Sequence, residues 1–483
     1  MPAVNIPWPV SSMPGRRPGD GQGDLINAYA VKIGDLVEIR RTPGLVKRFT
    51  LPDPVARWAR GMHSATGRLY HFWDDECRVV SPSGVQGVVT GLLPGIDRVT
   101  VAHNMRDTEV DIMVVTETAV YRIDVSSNTI TPYVDANMTL HGQPNSVEYF
   151  SGYFIYTKAS GYFSVSDLQQ ANVPNSSFGK TEYTADTLMR AKAMQNVLFL
   201  FSDKSTEAWV DVATVPMPFQ RQTSLDVGLL GRWAVAGGSN EWERGLYFVA
   251  ADYTVRSMEG MVPKIISNDD VAYDIYSYRD LPDAIVAQVY AFEQQAVLSI
   301  STPDWTWEYN VTSSSWHRRD SYGKPYWRAT SATQHNNRWY AQDLDDARLF
   351  EIQQEVFSED GERMRFRCES AAMKQFPASM RLPSIDIDCI SALGKTRVPS
   401  PYETNPCAMI SWSHDGGANW SRPVARSMGR VGQYANKITV NNLGRSTHHG
   451  TRIRVEVVDP VPATITGGLS TKVKPSRPRQ VDK

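Results

Sequence analysis

A short apolar strand recurs seven times between residues 55 and 353, and its spacing constrains the fold more than any other feature of this chain. The copies are Arg68–Phe72, Ile112–Thr116, Tyr153–Thr157, Val197–Phe201, Leu246–Ala250, Ala296–Ile300 and Arg338–Gln342. Their starts are separated by 44, 41, 44, 49, 50 and 42 residues. Most are followed by a turn and a second strand, as at Ala119–Ile123, Gly161–Val165, Glu207–Asp211, Trp305–Tyr309 and Arg348–Ile352. A period of about 45 residues with three or four strands per unit is the signature of a β-propeller. Radial repetition hides most strand edges between neighbouring blades. A solenoid is the competing architecture, but its repeats are usually shorter or helical. Seven strands fit seven blades, or six if the first and last partial units close one blade together. The sequence has neither a WD series nor a kelch Gly-Gly series.

The composition agrees with an all-β chain. Of 483 residues, 41% are hydrophobic, with 13 Trp, 21 Tyr and 15 Phe. Aromatic and β-branched residues favour strands, and 29 Pro and 33 Gly interrupt the chain often. Helical periodicity surfaces only at residues 186–195, where a strand reads equally well. The formal net charge of −2 argues against a chain-wide nucleic-acid surface. Cys77, Cys368, Cys389 and Cys407 contain no CxxC pair, so free buried thiols are expected rather than a zinc ribbon. The start MPAVNIPWPV lacks the pattern of a signal peptide. No apolar run approaches the roughly 18 residues that a membrane span requires. The N-x-S/T tripeptides at Asn137, Asn175, Asn310 and Asn419 therefore carry no expectation of glycosylation.

The repeat divides the chain. Residues 1–45 read as an N-terminal extended arm, rich in Pro and Gly up to Gly23 and strand-like at Leu36–Arg40. Within it, Arg40, Arg41, Pro43 and Gly44 form a turn, and either solvated charge or a contact with a neighbouring subunit explains the arginine pair. Residues 46–354 are the propeller, of six or seven blades. Residues 355–471 change texture: Met364–Cys368, Ser384–Cys389, Ala408–Trp412, Lys437–Val440 and Arg452–Val458 read as at least five half-buried strands. Such a set predicts a C-terminal antiparallel β-sandwich. Residues 472–483 hold five basic side chains against Asp482 and read as a basic disordered tail.

Ser413-His-Asp415-Gly-Gly417-Ala-Asn-Trp420 fits S-x-D-x-G-x-x-W, the Asp-box pattern of sialidases. Its physics is local. Asp415 can accept hydrogen bonds from turn amides, Gly supplies positive φ, and Trp420 can pack over the turn. A structural hairpin is the expected role of Ser413, Asp415, Gly417 and Trp420. A carbohydrate-binding or sialidase-like propeller is the alternative.

Other chemistry is sparse. Asp74-Asp75-Glu76, Asp269-Asp270 and the cluster from Asp343 to Asp346 are expected to be solvated turn charges. His448-His449 falls in a turn, and no H-E-x-x-H, P-loop, G-x-G-x-x-G or G-x-S-x-G occurs. A sialidase would also need three arginines around the substrate carboxylate, and no motif places three together. No catalytic residue, cofactor or metal is expected.

Taken in order, these pieces resemble the phage packaged-DNA stabilisation proteins, the hub or nozzle of short P22-like podovirus tails. The resemblance is carried by Arg40-x-x-Pro43-Gly44-Leu45, Arg60-Gly61-Met62, Ser411-Trp-Ser-x-Asp415-Gly-Gly417, Gly429–Tyr434, Leu443-Gly-Arg445 and Val457–Val461. It implies a non-enzymatic all-β protein, made in the host cytoplasm and carried in the virion tail. It further implies a homo-oligomer, a hexamer, joined to the portal-adaptor ring above and the tail needle below, with tailspikes as neighbours. Double-stranded DNA would pass through transiently. The basic tail is longer than the family pattern suggests.

Overall fold

The computed structural model describes residues 4–34, 36–50, 58–239, 242–374, 379–393, 401–471 and 474–475. Apart from Lys474–Pro475, which pairs with Met380–Cys389, the tail 472–483 lies outside them.

The described chain builds seven four-stranded blades. Their first strands are Ala59–Ala65, Thr100–His103, Pro144–Phe150, Leu188–Met194, Val235–Gly238, Val286–Phe292 and Ala329–His335. These strands neighbour one another in a closed circle, the seventh lying against the first. The seventh blade takes three strands from residues 329–353, and its outer strand is Gly44–Thr50, antiparallel to Arg348–Gln353. A strand from before the repeat thus latches the ring, which settles seven blades rather than six. Gly44 is required at the latch, because a Cβ there would stand 2.4 Å from the Ser358 carbonyl oxygen.

Every recurring apolar strand read from the sequence is the second strand of its blade, and the recurring follower is the third. These strands are packed on both faces by neighbouring blades, so they read as continuous apolar runs. Leu198–Phe201 and Leu246–Ala250, for example, are fully or almost fully buried. Aromatic pairs bridge the blades: Phe163 meets Trp209 at 5.1 Å and Phe201 meets Phe248 at 5.1 Å between ring centroids.

Residues 186–195 resolve as the strand Leu188–Met194. The sequence pattern missed a helix, Asp269–Tyr276, between blades five and six. The Asn268 side chain caps it, two aspartates stand in its first turn, and it buries Val271 and Ile275. Eight residues are too few for their periodicity to stand out.

The sandwich packs two sheets around a core that includes Leu25, Ile39, Ile385, Ile410, Ile453 and Leu469. One sheet runs Ala28–Ile33, Leu36–Arg41, Thr464–Thr471, Met380–Cys389 and Ile438–Arg445, with Val4–Pro7 also paired to Thr464–Thr471. The other runs Asp24–Ile26, Phe366–Glu369, Arg452–Val457, Cys407–Ser413 and Val424–Ser427. The second sheet continues into the propeller, since Ile26 pairs in parallel with Arg318 on the outer strand of blade six. The boundaries expected at 45 and 354 therefore differ from those observed. Residues 4–41 are not an extended arm but supply sandwich strands, and the hairpin Ser358–Arg363 belongs to the sheet of blade seven. The physical reason is the open edges of a sandwich assembled from residues 355–471 alone, which the N-terminal strands cover.

Candidate functional site

The first strands of the blades surround a cavity of about 400 Å³. Side chains alternate along a strand, so every second residue points inward. Arg190 and Lys192 on Leu188–Met194 and Gln288 on Val286–Phe292 reach the cavity in this way. Arg60, Arg98, Arg190 and Lys192 line it against a single lining carboxylate, Glu148.

At the N-terminal ends of these strands three arginines converge. Arg98 donates to Ser331 Oγ at 2.9 Å and Thr330 Oγ1 at 2.7 Å. Arg190 and Arg232 lie 5.2 and 4.7 Å from the Trp233 ring centroid, and Arg232 donates to the Asn145 carbonyl. Burial, and then repulsion from Arg190, bring both Arg98 and Arg232 down to about 10, with the charges of Asp97, Asp283 and Glu117 opposing at Arg232.

Deeper in, Lys192 Nζ stands 3.8 Å from Glu148 Oε2. His63 Nε2 and His103 Nδ1 are 2.8 Å apart, a hydrogen bond that needs one ring nitrogen protonated and the other bare. Burial and the neighbouring His103 hold His63 well below the usual imidazole range, and burial brings His103 to about 4. Arg60 is wholly buried and donates to the carbonyls of Asp97, Asp74 and Leu93 at 2.5–2.6 Å, which fixes the loop before blade two. The cavity is thus a preformed cationic pocket. Among the described residues its lining offers one carboxylate, where glycoside hydrolysis by the two-carboxylate route uses two. Sequence reasoning missed Arg98, Arg190, Arg232 and Trp233. Their common signal, a position just before or early in a first strand, becomes legible only once first strands are distinguished from second ones.

In the Asp-box hairpin, Ser413 Oγ donates to Asp415 Oδ1 at 2.7 Å and accepts from the Gly417 N–H at 2.8 Å. The Asn419 N–H and amide donate to Asp415 at 2.9 and 2.6 Å. Partial burial raises the Asp415 carboxyl, but these hydrogen bonds outweigh it and lower the group to about 2. Trp420 lies beneath the Arg454 guanidinium at 3.7 Å. Gly416 has φ +76°, and a Cβ there would stand 2.2 Å from the Gly19 nitrogen. The Gly19 N–H donates to the Gly416 carbonyl at 2.8 Å, so the hairpin docks on the N-terminal segment.

That segment also grips the propeller. The Ser12 N–H donates to the Trp316 carbonyl at 2.7 Å, and the Gly15 N–H donates to Asp270 Oδ2 at 3.1 Å. Arg16 stacks on Tyr273 at 3.8 Å and donates to the Asp269 carbonyl at 3.0 Å. Of the residues expected to reach a neighbouring subunit, Arg41, Pro43 and Gly44 are buried within the chain. Arg41 donates to the carbonyls of Asp459 at 2.6 Å, Val461 at 3.0 Å and Met364. Burial brings it down to about 9, with the Asp459 charge opposing. Arg40 is half-exposed and pairs with Glu38 at 2.9 Å.

The acidic clusters are not all solvated. Asp343 is fully buried and takes a forked pair from Arg328 at 3.1 and 2.8 Å, with Arg348 at 2.9 Å. Asp269 and Asp270 open the short helix, and Glu76 pairs with Arg78 at 2.9 Å. The His448 and His449 rings lie 3.9 Å apart within a turn. Among the described residues no three of His, Cys, Asp and Glu are arranged to hold a metal ion. Cys77, Cys368 and Cys389 are free and buried, and Cys407 is free and half-buried.

A latched seven-bladed propeller fused to a sandwich, with its sequence motifs spent on internal joints, defines a structural β-protein. Residues 38–357 match the family described as Bacteriophage P22 Gp10, beta-propeller, and residues 375–471 match Bacteriophage P22 Gp10, beta-sandwich. The chain belongs to this family, the phage packaged-DNA stabilisation proteins, structural components of the virion tail. No curated protein matches the chain. A solved structure of PorZ, a bacterial surface component of the type-IX secretion system of Porphyromonas gingivalis, is similar at 10% identity and a TM-score of 0.38. The match covers 80% of this chain and 46% of that one, so the chain spans about half the length of that protein.

Proposed function

We propose that this chain is the hub, or nozzle, of a short phage tail. In that role it closes the portal channel after DNA packaging, holds the tail needle and forms part of the conduit through which the genome leaves. It works as a homomeric ring, a hexamer, beneath the portal-adaptor ring and beside the tailspikes. The observation that carries this reading is membership of the family across both the propeller and the sandwich. The internal clamp supports it: residues 12–23 tie the Asp-box hairpin to blade six and to the helix Asp269–Tyr276. A part that bears the load of packaged DNA needs its two domains held as one body. A ring closes heterologous contacts on themselves. Where such a ring lines the DNA path, acidic or neutral side chains keep the phosphates from sticking.

The test is a reconstruction of the virion that contains this chain. It is expected on the tail axis in six copies, between an adaptor ring and the needle. A position off the axis, or another copy number, overturns the hub assignment.

A further inference from the structure

The charge of this chain is divided between its domains. Residues 42–363, which build the propeller, hold 27 Lys and Arg against 40 Asp and Glu. Residues 1–41 and 364–483, which supply the sandwich and the tail after it, hold 23 against 12. The net charge of −2 is therefore a propeller of −13 joined to a sandwich of +11. The joint inside the chain does not neutralise this excess. It carries ion pairs of both senses, Asp24 of the sandwich with Arg318 of the propeller and Arg365 of the sandwich with Asp320 of the propeller.

The basic excess comes to the surface at the Asp-box end of the sandwich. Arg381 and Arg445 stand directly opposite each other on adjacent strands, and both are exposed. Like charges so placed destabilise a sheet. Arg445 donates to Ser379 Oγ at 2.6 Å, and among the described residues neither arginine pairs with a carboxylate. Lys374 and His449 meet at Gly19, two residues beyond the exposed Arg17. Asp20 and Asp415 stand against these cations at the same end.

On the propeller the acidic excess gathers on one face. Strands of a blade alternate in direction, so the turns between second and third strands lie on the face where the first strands begin. Six of these seven turns carry a carboxylate, at Asp74, Glu117, Asp203, Asp252, Asp304 and Asp345. On the opposite face four of the turns between first and second strands are uncharged: Thr66-Gly67, Ser151-Gly152, Gln195-Asn196 and Asn336-Asn337. On the acidic face Asp75, Glu182, Asp226 and Asp304 are exposed and form no ion pair among the described residues. Asp226 and Asp304 accept only from tyrosine hydroxyls, those of Tyr183 and Tyr278, and keep their charge.

We propose that the basic end of the sandwich, Arg17, Lys374, Arg381 and Arg445, docks on the acidic face of the propeller in a second copy of this chain. The contact rests on the ring proposed above. A heterologous ring needs two different, complementary patches on one chain, and these two are opposite in charge and comparable in size. Duplex DNA would match the basic end but would leave the acidic face without a counterpart.

Sedimentation velocity of the full chain tests this. Assembly beyond the monomer is expected at low salt and is lost at high salt, because surface charges are screened. Arg381→Glu combined with Arg445→Glu, folded by circular dichroism, should weaken assembly about tenfold. Mixing it with a chain carrying Lys at positions 75, 182, 226 and 304 should restore assembly that neither forms alone. Carbodiimide coupling, which joins a lysine amine to a touching carboxylate, needs no variant. In a mixture of isotope-labelled and unlabelled chain it should link Lys374 to a propeller carboxylate in mixed-isotope peptides. A chain that stays monomeric at low salt, assembly insensitive to the two reversals, or mixed-isotope links from Lys374 to another sandwich overturns the contact. So does fluorescence anisotropy in which the reversals abolish binding of a duplex while self-association is unchanged. A virion reconstruction with six copies on the tail axis and the sandwiches touching something else refutes this contact and leaves the hub reading standing. A chain off the axis refutes the hub reading, and sedimentation still decides the contact.

Discussion

Asp415 takes three hydrogen bonds on its two oxygens, and each closes part of one turn. Replacing it with Ala should cost roughly 1–3 kcal/mol through donors left without an acceptor. Thermal unfolding of Asp415→Ala measures this; an unchanged Tm would show that the turn stands on its glycines alone. The carboxylate is held at about 2 against an ordinary 3.8, so its contribution is present above pH 3.8 and lost as the pH falls towards 2. The histidines act in the opposite charge sense. His103 sits at about 4 when folded against 6.5 when free, so the unfolded chain takes up the proton first. Stability is therefore expected to fall as pH drops from 6.5 to about 4, and His103→Gln should flatten that slope in a series of melts. The Asp-box role of Asp415 was legible from eight consecutive residues because its physics is local. The burial of Asp343 was not: its acidic neighbours read as a solvated turn, and only the fold brings Arg328 to it.

Among the elements, the strand Gly44–Thr50 has the largest consequence for its length. It joins blade seven across more than 290 residues of sequence, from Arg348 to Thr50 and Gln353 to Gly44. Leu45 is buried on it, in the cluster with Trp327, Phe350 and Ile352. Leu45→Asp places an unpaired charge there and should open the ring at blade seven. Limited proteolysis should then cut first within residues 329–353, whereas Thr50→Asp at the exposed end of the same strand should leave the pattern unchanged. Phe199 and Phe248 occupy the core between blades four and five, and aspartate at either should unfold the propeller rather than release one strand. The second strands announced themselves because both faces are packed. The first strands did not, because one face meets a polar cavity and carries Arg, Lys, His and Gln.

At the scale of the molecule, propeller and sandwich share a sheet at Ile26 and Arg318 and a clamp at residues 12–23. The clamp has a sensitive point at Gly416, where any side chain meets the Gly19 backbone. Gly416→Val should undock the N-terminal segment while both domains stay folded. Hydrogen exchange should then rise at residues 14–21 and in the helix Asp269–Tyr276, with blades one to four unchanged. Exchange unaltered in both places would mean that the shared sheet alone joins the domains.

The sequence by itself determined the all-β class, the propeller, the sandwich after it and the turn chemistry of the Asp box. Each of these rests on interactions between near neighbours: strand period, apolar runs packed on both faces, and a hairpin closed within eight residues. Tertiary structure alone decided the seventh blade, the use of residues 4–41 as sandwich strands and the gathering of Arg98, Arg190 and Lys192 around one cavity. Those features join segments tens to hundreds of residues apart. Composition and periodicity describe a segment's own faces and leave its partner across the fold unspecified.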